Sequence, residues 1–456
     1  MTDFSEYFSL LDDTPFEETP VDLDTFIGPG YLGGRFVLSE IQRDLVESMS
    51  QIYTMEDCIR ILGQEAGVQH YQKYTKKEVI LQLGKGSSRG TDEVFLPEHG
   101  KWVPIQDLQS SPNNYVLGSN DGCVENQYAT ESFIEGSDVV WEVEFERGLT
   151  MGVTMDHSFY NKRMERVKLS DLKIGDRIAV STKTFVTNPV RLPDGEAKLL
   201  GYWIGDGCMP KDQTGFRMLN MDFGDKDVQS MQEYLEITHD LGDNPKVTVH
   251  PNGKAMSCVR SHSCDQALKI ANKHNLWGKR AHDKVVPDAI WNAPDDQVAE
   301  FVSRLWGCDG TVYMKKSGPM VHGALEYCTV SKELAVGLQR LLTRFGVLSS
   351  LRSRYPKYTY NGERKTGQLT YYLTIADKTG VERFHKNIAL LDKQDMLDEA
   401  VRSYANKTAS TNYQGDMFFA RLKSVKEVGP MPVFTMTATQ TSNFIQNLVL
   451  NGNSGK

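Results

Sequence analysis

The sequence contains few cysteines and no long apolar run. Its 456 residues include seven cysteines, an odd number, and no pair is separated by only two residues. A disulfide framework and a structural zinc site are therefore excluded, and we expect a reducing, cytoplasmic environment. No stretch of eighteen apolar residues is present, and the opening MTDFSEYFSL has neither a basic start nor an apolar core. We therefore expect neither a membrane span nor a secretory signal.

Basic residues are absent from the first 27 positions, which hold eight acids. Over residues 1–86, 15 Asp and Glu stand against 7 Lys and Arg, whereas the remainder of the chain is nearly balanced within the total of −9. The acidic, proline-containing start predicts a disordered tail. The length predicts two to four domains. Net charge does not exclude DNA binding, because a balanced region can still carry a basic face.

Hydrophobic periodicity changes twice after residue 90. From about 90 to 190, short alternating strands between turn residues predict an all-β unit. From about 196 to 400, helical spacing dominates in EAKLLGYWIG, VAEFVSRLWG, KELAVGLQRLLTRFG and NIALLDKQDMLDEAVRSYA. Residues 417–450 return to β character in FFARLKSVKEVG, PVFTMTA and SNFIQNLVL. The pattern predicts a multidomain α+β chain in which an α/β block is inserted into a split β unit.

The β unit in turn interrupts a phosphate-binding motif. A predicted strand, EVILQL, runs into a glycine-rich turn, and the chain resumes after Asn453 with SGK. Joining the flanks gives LQLGKG-SGK, a P-loop whose backbone N–H groups and lysine would bind phosphates. The predicted ATP-binding residues are Gly84, Lys85, Gly86, Gly455 and Lys456. We therefore expect ATP binding only after the two flanks have been ligated.

Residues 87–453 resemble an intein, a self-splicing insertion with a Hedgehog/intein-type (Hint) fold, here carrying a LAGLIDADG homing endonuclease. Four blocks in family order carry the resemblance: SSRGTDEV from Ser87, GLTMGVTMDH from Gly148, LSDLKIGDR from Leu169, and the C-terminal VFTMT, SNF and GN. The resemblance implies a horseshoe-like all-β Hint domain over 87–195 and 401–453, split by an α/β endonuclease over 196–400.

The host flanks, 1–86 and 454–456, resemble the start of a phage terminase large subunit, an ATP-driven DNA-packaging motor. That resemblance implies a phage-infected or prophage-bearing bacterial cell.

Splicing requires a hydroxyl or thiol at each junction, because only such a group can carry the transferred acyl group. Ser87 and Ser454 supply hydroxyls, and the resemblance implies that Asn453 then cyclises and frees the C-terminal flank. Ser88 is an alternative first residue. The join would then read GKGSSGK, which matches the P-loop pattern more literally, whereas counting from Ser87 matches the family's first block. No cofactor is expected for splicing.

The resemblance assigns activation of the first junction to one segment. Thr154 and His157 would polarise the scissile peptide bond and protonate its leaving amine, and Asp156 would contribute. Two histidines usual in the family are missing at the other junction: the penultimate position holds Gly452, and Ser442 precedes the Asn-Phe pair. Both normally assist asparagine cyclisation, so we expect this last step to be slow or assisted by another group.

Two segments resemble LAGLIDADG motifs: LLGYWIGDG from Leu199 and VSRLWGCDG from Val302. Each predicts a helix that ends at Asp-Gly. Small residues spaced four apart would let the two helices approach closely, although glycine inside a helix costs about 1 kcal/mol relative to alanine. These residues are Gly201 and Gly205 in the first motif, and Ser303 and Gly307 in the second.

Such a helix crossing would bring Asp206 and Asp309 together. Paired carboxylates bind Mg²⁺, which orients water and stabilises the leaving oxygen of a phosphodiester. The block KVVPDAI between the motifs resembles its family counterpart, which implies that its Lys284 lies near the scissile phosphates. The expected partner is double-stranded DNA at the empty insertion site, and two motifs in one chain predict a monomer.

A run of basic and tyrosine residues follows the second motif. It comprises Arg352, Arg354, Lys357, Arg364 and Lys365, with Tyr355, Tyr358, Tyr360, Tyr371 and Tyr372. Such a face would lie along a DNA groove, although a solvated strand face is equally compatible with it. Three functions stay open at this point: an intein that splices and cuts DNA, a P-loop ATPase with a splicing-inactive insertion, and a nuclease on an inert β scaffold.

Overall fold

The computed structural model describes residues 87–108, 114–129, 133–210, 218–249, 257–262, 265–318, 320–360, 362–438 and 440–453. The predicted acidic tail and host segment, together with all the P-loop residues and Ser454, lie outside the described residues.

The strands of the first β segment are β1 Ser88–Arg89, β2 Glu93–Leu96, β3 Lys101–Pro104, β4 Asn114–Asn120, β5 Cys123–Ala129, β6 Phe133–Phe145, β7 Thr150–Val153, β8 Ser158–Tyr160, β9 Arg166–Lys168 and β10 Arg177–Ser181. Those of the middle block are β11 Gly207–Cys208, β12 Met218–Phe223, β13 Lys246–Val249, β14 Ser257–His262, β15 Gly310–Ser317, β16 Met320–Thr329, β17 Ser350–Arg354, β18 Lys357–Tyr360, β19 Glu363–Thr366 and β20 Thr370–Ile375. The last are β21 Tyr413–Gln414, β22 Met417–Thr435, β23 Asn443–Gln446 and β24 Val449–Gly452.

The α-helices all lie in the middle block of the described chain. They are α1 Glu196–Gly205, α2 Val228–Asp240, α3 Gln266–Lys273, α4 Asp288–Trp291, α5 Asp295–Asp309, α6 Lys332–Leu342, α7 Lys378–Asn387 and α8 Gln394–Arg402. The predicted multidomain α+β class is confirmed. None of these described helices is long and apolar enough to cross a membrane.

Strands from the two ends of the described chain form one twelve-stranded antiparallel sheet, in the main order β1-β7-β6-β22-β10-β24-β23-β2-β3. We call this the β body. Its longest ladder joins β6 to β22, from Phe133 opposite Thr435 to Phe145 opposite Leu422. The sequence predicted two strands where β22 runs unbroken for 19 residues. A register shift and a φ of +118° at Gly429 let the strand continue through a bulge.

Between β10 and β21 the chain forms a block of helices and two four-stranded sheets, which we call the α/β body. Helix α1 leads directly into the sheet β11-β12-β14-β13, and α5 leads into β15-β16-β20-β17. The two helices pack on one another within a single apolar core that includes Trp203, Phe301 and Trp306. The same helix–strand unit is thus used twice.

The prediction of one continuous helix is wrong over part of its length. NIALLDKQDMLDEAVRSYA reads as continuous helical spacing, but α7 ends at Asn387 and α8 begins only at Gln394. Ile388 and Leu390 are both buried and Ile388 has extended backbone angles. Alternate burial in an extended chain therefore replaces the helical pattern there.

Candidate active sites

The first junction lies where β1 pairs with β7. The backbone N–H of Ser87 donates to Thr154 Oγ1 at 3.0 Å, and the Thr154 N–H donates to the Ser87 carbonyl, also at 3.0 Å. Ser88 follows in β1, opposite Val153 and Phe434. The Ser87 nitrogen belongs to the peptide bond between residues 86 and 87. Thr154 therefore contacts the nitrogen that would leave if Ser87 is the first residue.

Asp156 completes this contact. The Thr154 hydroxyl donates to Asp156 Oδ1 at 2.6 Å, so its oxygen lone pairs face the Ser87 N–H. Ser87 and Thr154 are only 1% and 2% exposed. Because Thr154 is almost fully shielded from water, its hydrogen bond to the Asp156 carboxylate is strong. It fixes the hydroxyl beside the scissile bond.

His157 connects this segment to the other end of the chain. Its Nε2 lies 2.8 Å from Asn451 Oδ1, while Asn451 Nδ2 donates to the Val449 carbonyl at 2.8 Å. Because the asparagine oxygen faces the ring, Nε2 carries the proton and Nδ1 is the basic nitrogen. The ring is buried against Phe159, with centroids 5.0 Å apart. The histidine is thus held in one tautomer by the strand that leads to the second junction.

Asn453 is held on three sides at the second junction. Its Nδ2 donates to the Ala438 carbonyl at 2.6 Å, and its Oδ1 accepts from the Ala438 N–H at 3.0 Å. Its own N–H donates to the Ser442 carbonyl at 2.9 Å. Arg166 Nη2 donates to the backbone carbonyl of Asn453, the carbonyl that cyclisation would attack. No pattern in the sequence selects Arg166, because its role depends on where the β8–β9 hairpin lies.

The close approach of α1 and α5 rests on the glycines of α1. A Cβ on Gly201 would lie 2.5 Å from the Phe301 carbonyl oxygen, and one on Gly205 would lie 2.5 Å from Cys308 Cβ. Both contacts are too short for real atoms. Glycine is therefore required at each position, as the sequence predicted for α1.

The matching prediction for α5 is wrong. A Cβ on Gly307 would meet no atom within 4 Å outside its own helix, and the Ser303 hydroxyl donates to the Ala389 carbonyl. The face of α5 that contacts the glycines contains Phe301 and Cys308, seven residues apart. Seven residues are two helical turns, so Ser303 and Gly307 lie on another face.

The helix ends bring Asp206 and Asp309 together, as predicted. Desolvation by burial, and to a smaller extent the charge of Asp309, raise the pKa of Asp206 to about 6. Desolvation also raises the pKa of Asp309, against the opposing effect of nearby lysines. Both carboxyls still reach solvent, so a cation and a phosphate could approach them. Two neighbouring carboxylates that repel one another fit a divalent cation.

The rest of such a coordination sphere is not supplied by acidic, histidine or cysteine side chains. Among the described residues there is no group of three or more that could hold a metal. Mg²⁺ in nuclease-type sites is bound by one or two carboxylates together with water and substrate phosphate. The two aspartates suit that mode of binding.

Two lysines stand beside the carboxylates, one for each motif helix. Lys284 Nζ donates to the Gly205 carbonyl at 2.5 Å, and Lys393 Nζ donates to the Gly310 carbonyl at 2.7 Å and to that of Gly307. Each lysine thus binds carbonyls at the negative end of a helix dipole. Burial lowers the pKa of Lys284, although both aspartates oppose that shift. The sequence predicted Lys284 and missed Lys393, which follows the second motif at a similar distance along the chain.

The predicted basic face follows β17 and the β18–β19 hairpin. Arg352, Arg354, Lys357, Arg364 and Lys365 are all exposed. Arg352 and Arg354 line a cavity of about 330 Å³ next to β15, and the Arg354 guanidinium lies 4.1 Å above the Tyr372 ring. Extended basic strands of this kind could follow a phosphate backbone.

Comparison with protein families identifies part of the α/β body. The model of a LAGLIDADG-like domain matches residues 296–389, which confirms the prediction for the second motif and the elements that follow it. Among curated proteins, the chain is 25% identical to a replicative DNA helicase DnaB from Synechocystis sp. over 72% of its own length and 37% of the relative's. It is 28% identical to the ATP-dependent DNA helicase Hel308 of Methanocaldococcus jannaschii, covering 57% and 21% respectively. The chain therefore spans about a third or less of these relatives.

Among solved structures, the chain is similar to a variant of the Ssp DnaB mini-intein, with 10% identity, a TM-score of 0.30, and coverage of 81% of this chain and 95% of that one. It is also similar to the LAGLIDADG meganuclease I-AabMI bound to uncleaved DNA, with 12% identity, a TM-score of 0.30, and coverage of 45% and 90%.

Proposed function

We propose that residues 87–453 are a self-splicing intein that carries a LAGLIDADG-type DNA endonuclease and interrupts a P-loop ATPase host. The observation that carries the splicing part is that one β body contacts both ends of the insertion: Thr154 binds the Ser87 nitrogen, and Arg166 binds the Asn453 carbonyl. A β scaffold without chemistry has no need to bury polar side chains against these two positions, because each buried polar contact must be compensated.

In the first step, the Ser87 hydroxyl attacks the carbonyl carbon of residue 86. The bond from that carbon to the Ser87 nitrogen breaks, the nitrogen gains the proton that the Ser87 hydroxyl loses, and an ester replaces the amide. Thr154 Oγ1, 3.0 Å from this nitrogen, accepts a hydrogen bond from its N–H and so holds the scissile peptide bond in place. The Asp156 carboxylate accepts the proton of this hydroxyl in a hydrogen bond and so keeps the oxygen turned towards the nitrogen. Ser87 is therefore the first residue of the insertion, in preference to Ser88.

In the second step, the Ser454 hydroxyl attacks the ester, the bond from the ester carbon to the Ser87 oxygen breaks, and that oxygen gains the proton that Ser454 loses. The N-terminal flank thereby moves to the C-terminal junction. Asn453 Nδ2 then attacks its own carbonyl carbon and breaks the bond to Ser454. His157 belongs to the first step, with its tautomer set by Asn451. An ester-to-amide shift finally joins the flanks. No cofactor enters these steps.

Expression of the chain between two folded tags tests the splicing proposal. The expected product is a ligated tag–tag protein that has lost residues 87–453, about 41 kDa in proportion to the 51.4 kDa of the whole chain. Intact-mass spectrometry identifies it without assumptions about gel mobility. Recovery of only the full-length precursor would instead support the alternative, a P-loop ATPase with a splicing-inactive insertion.

The α/β body is proposed to cut double-stranded DNA at the empty insertion site as a monomer, since one chain supplies both motif helices. Asp206 and Asp309 would hold Mg²⁺, which supplies an activated water and stabilises the leaving oxygen. Lys284 and Lys393 bring positive charge beside the carboxylates, where a scissile phosphate would lie. The exposed arginines of β17 would bind the flanking backbone.

A charge-removing substitution separates this activity from splicing. We expect Asp206→Asn to lower cleavage of DNA spanning the empty site by at least about a hundredfold, the scale for losing one electrostatic group. Asp225→Asn, in an exposed loop of the same body, is the matched control and should cut normally. Equal cleavage by wild type and Asp206→Asn would refute the assigned site.

The host is proposed to be a P-loop ATPase, and more narrowly a terminase large subunit of a phage or prophage, acting in the bacterial cytoplasm. The relative Hel308 is itself named an ATP-dependent DNA helicase, which supports the broader statement. The complete host should hydrolyse ATP once ligated and not as the unspliced precursor, because only ligation joins Gly84, Lys85 and Gly86 to Gly455 and Lys456. Equal ATPase activity of the ligated host and the unspliced precursor would contradict this proposal.

A further inference from the structure

The contact between Arg166 and Asn453 is possible because residue 452 is a glycine and has no side chain. Arg166 opens β9, opposite Tyr160 of β8, and β8 in turn pairs with β24. From this hairpin the guanidinium reaches the Asn453 carbonyl across Gly452. A Cβ on Gly452 would lie 2.6 Å from Arg166 Nη2 and 2.7 Å from Nε. Any residue larger than glycine would therefore push the guanidinium away from the carbonyl.

Gly452 is otherwise an unfavourable choice. It is the last residue of β24, pairs with Asn443 and is buried, where glycine loses entropy and packing. Glycine in a strand commonly marks the close approach of another group. Here that group is an arginine, which stays charged at every physiological pH and presents several N–H donors in a rigid fork.

We propose that Arg166 is a catalytic residue for asparagine cyclisation, and that Gly452 is present to admit it. The inference rests on the proposed splicing function and supplies the group that the sequence left unassigned, since positions 452 and 442 lack histidine. Arg166 does not exchange a proton; it stabilises the negative charge that forms on the Asn453 carbonyl oxygen.

The step balances without a co-reactant. The Asn453 Nδ2 lone pair forms a bond to the Asn453 carbonyl carbon, and the carbonyl electrons move to the oxygen that faces Arg166. When the carbonyl re-forms, the bond to the Ser454 nitrogen breaks. Nδ2 loses one proton and the Ser454 nitrogen gains one, so the products are a succinimide and a free amine. The two hydrogen bonds to Ala438 hold the side-chain amide in place beforehand.

Arg166→Met in the doubly tagged precursor tests the proposal. Removing one oxyanion donor typically slows a reaction by about a hundredfold or more, so C-terminal cleavage should slow by that factor. Cleavage of the first junction by hydroxylamine, which reports the Ser87 ester, should stay at the wild-type rate. Arg163→Met, exposed in the same hairpin, is the matched control. C-terminal cleavage by Arg166→Met within about twofold of wild type would overturn the proposal.

Two further variants separate catalysis from folding. Arg166→Ala should recover C-terminal cleavage when millimolar methylguanidinium is added, which a structural role would not allow, and absence of rescue in a variant that melts like wild type counts against catalysis. Gly452→Ala should slow the same step while Arg166 is still present. If the splicing proposal itself is wrong, wild type forms neither the hydroxylamine-sensitive ester nor ligated product, and this outcome is distinct from a failure of Arg166 alone.

Discussion

The β body and the α/β body bury different kinds of residues. At the splice junctions the polar side chains are almost fully enclosed: His157 is 1% exposed, Asn451 0% and Asn453 3%. In the α/β body the aromatic and aliphatic residues of α1 and α5 are enclosed, and Asp206 and Asp309 at the helix ends are open to solvent. A splicing site needs no entrance, because its substrate is the chain itself, whereas a nuclease site must admit DNA and a cation.

The difference suits the two activities proposed for this chain. The splicing contacts use backbone atoms of strands that come from both ends of the insertion. The nuclease contacts lie within a block that is continuous in sequence from 196 to 402. A substitution in one site should therefore leave the other activity intact, and each of the following changes tests that independence.

The largest expected effect is that of Thr154→Ala on the first acyl shift. Loss of the hydroxyl beside the Ser87 nitrogen should slow hydroxylamine-sensitive ester formation by about a hundredfold, the scale for losing one positioned polar group. DNA cleavage should be unchanged. Thr150→Ala, an exposed residue of β7, is the control. Parallel loss of both activities would show that the two bodies are not independent.

A smaller effect on DNA cleavage is expected from acid. The pKa of Asp206 is raised to about 6, so the carboxylate is mostly ionised at pH 7 and mostly protonated at pH 5. Protons then compete with the cation, and cleavage should fall about tenfold between these values. A higher Mg²⁺ concentration should move the profile to lower pH. A flat profile between pH 5 and pH 7 would contradict the role given to Asp206.

The smallest expected effects concern stability. Gly201→Ala should destabilise the α/β body by about 1–3 kcal/mol, the cost of an overpacked contact, because its Cβ meets the Phe301 carbonyl. Gly307→Ala should be neutral or stabilising by up to about 1 kcal/mol, since it gains helix propensity in open space. Urea denaturation measures both. Equal destabilisation by the two would mean that α5 faces α1 through Gly307 after all.

Some of this organisation was predictable from sequence. The two Asp-Gly helix ends follow from local spacing, and α1 and α5 end there. Spacing did not predict which face of α5 meets α1, because Ser303 and Gly307 satisfy the small-residue pattern without lying at the contact. The roles of Ser87, Thr154, Asp156 and Asn453 stay predictions, now with contacts that support them.

Arg166 and Lys393 could not be chosen from the sequence for a shared reason. Each acts through a backbone carbonyl that is remote in sequence and is brought close only by tertiary pairing: Asn453 for the first, Gly307 and Gly310 for the second. An isolated basic residue carries no periodic or spacing signal. In the sequence, Gly452 is only a departure from the family pattern. The reason for glycine at this position depends on the β8–β9 hairpin, from which Arg166 approaches.

The most direct test of the account is the product formed by Asn453→Ala in the doubly tagged precursor. Acyl transfer between the junctions requires both to meet in one β body, and this variant should stop immediately afterwards. We predict an alkali-labile branched species with two N-terminal sequences and the full precursor mass, found by Edman sequencing and mass spectrometry. A purely linear precursor with one N-terminal sequence, under conditions in which wild type also fails to ligate, would contradict the account.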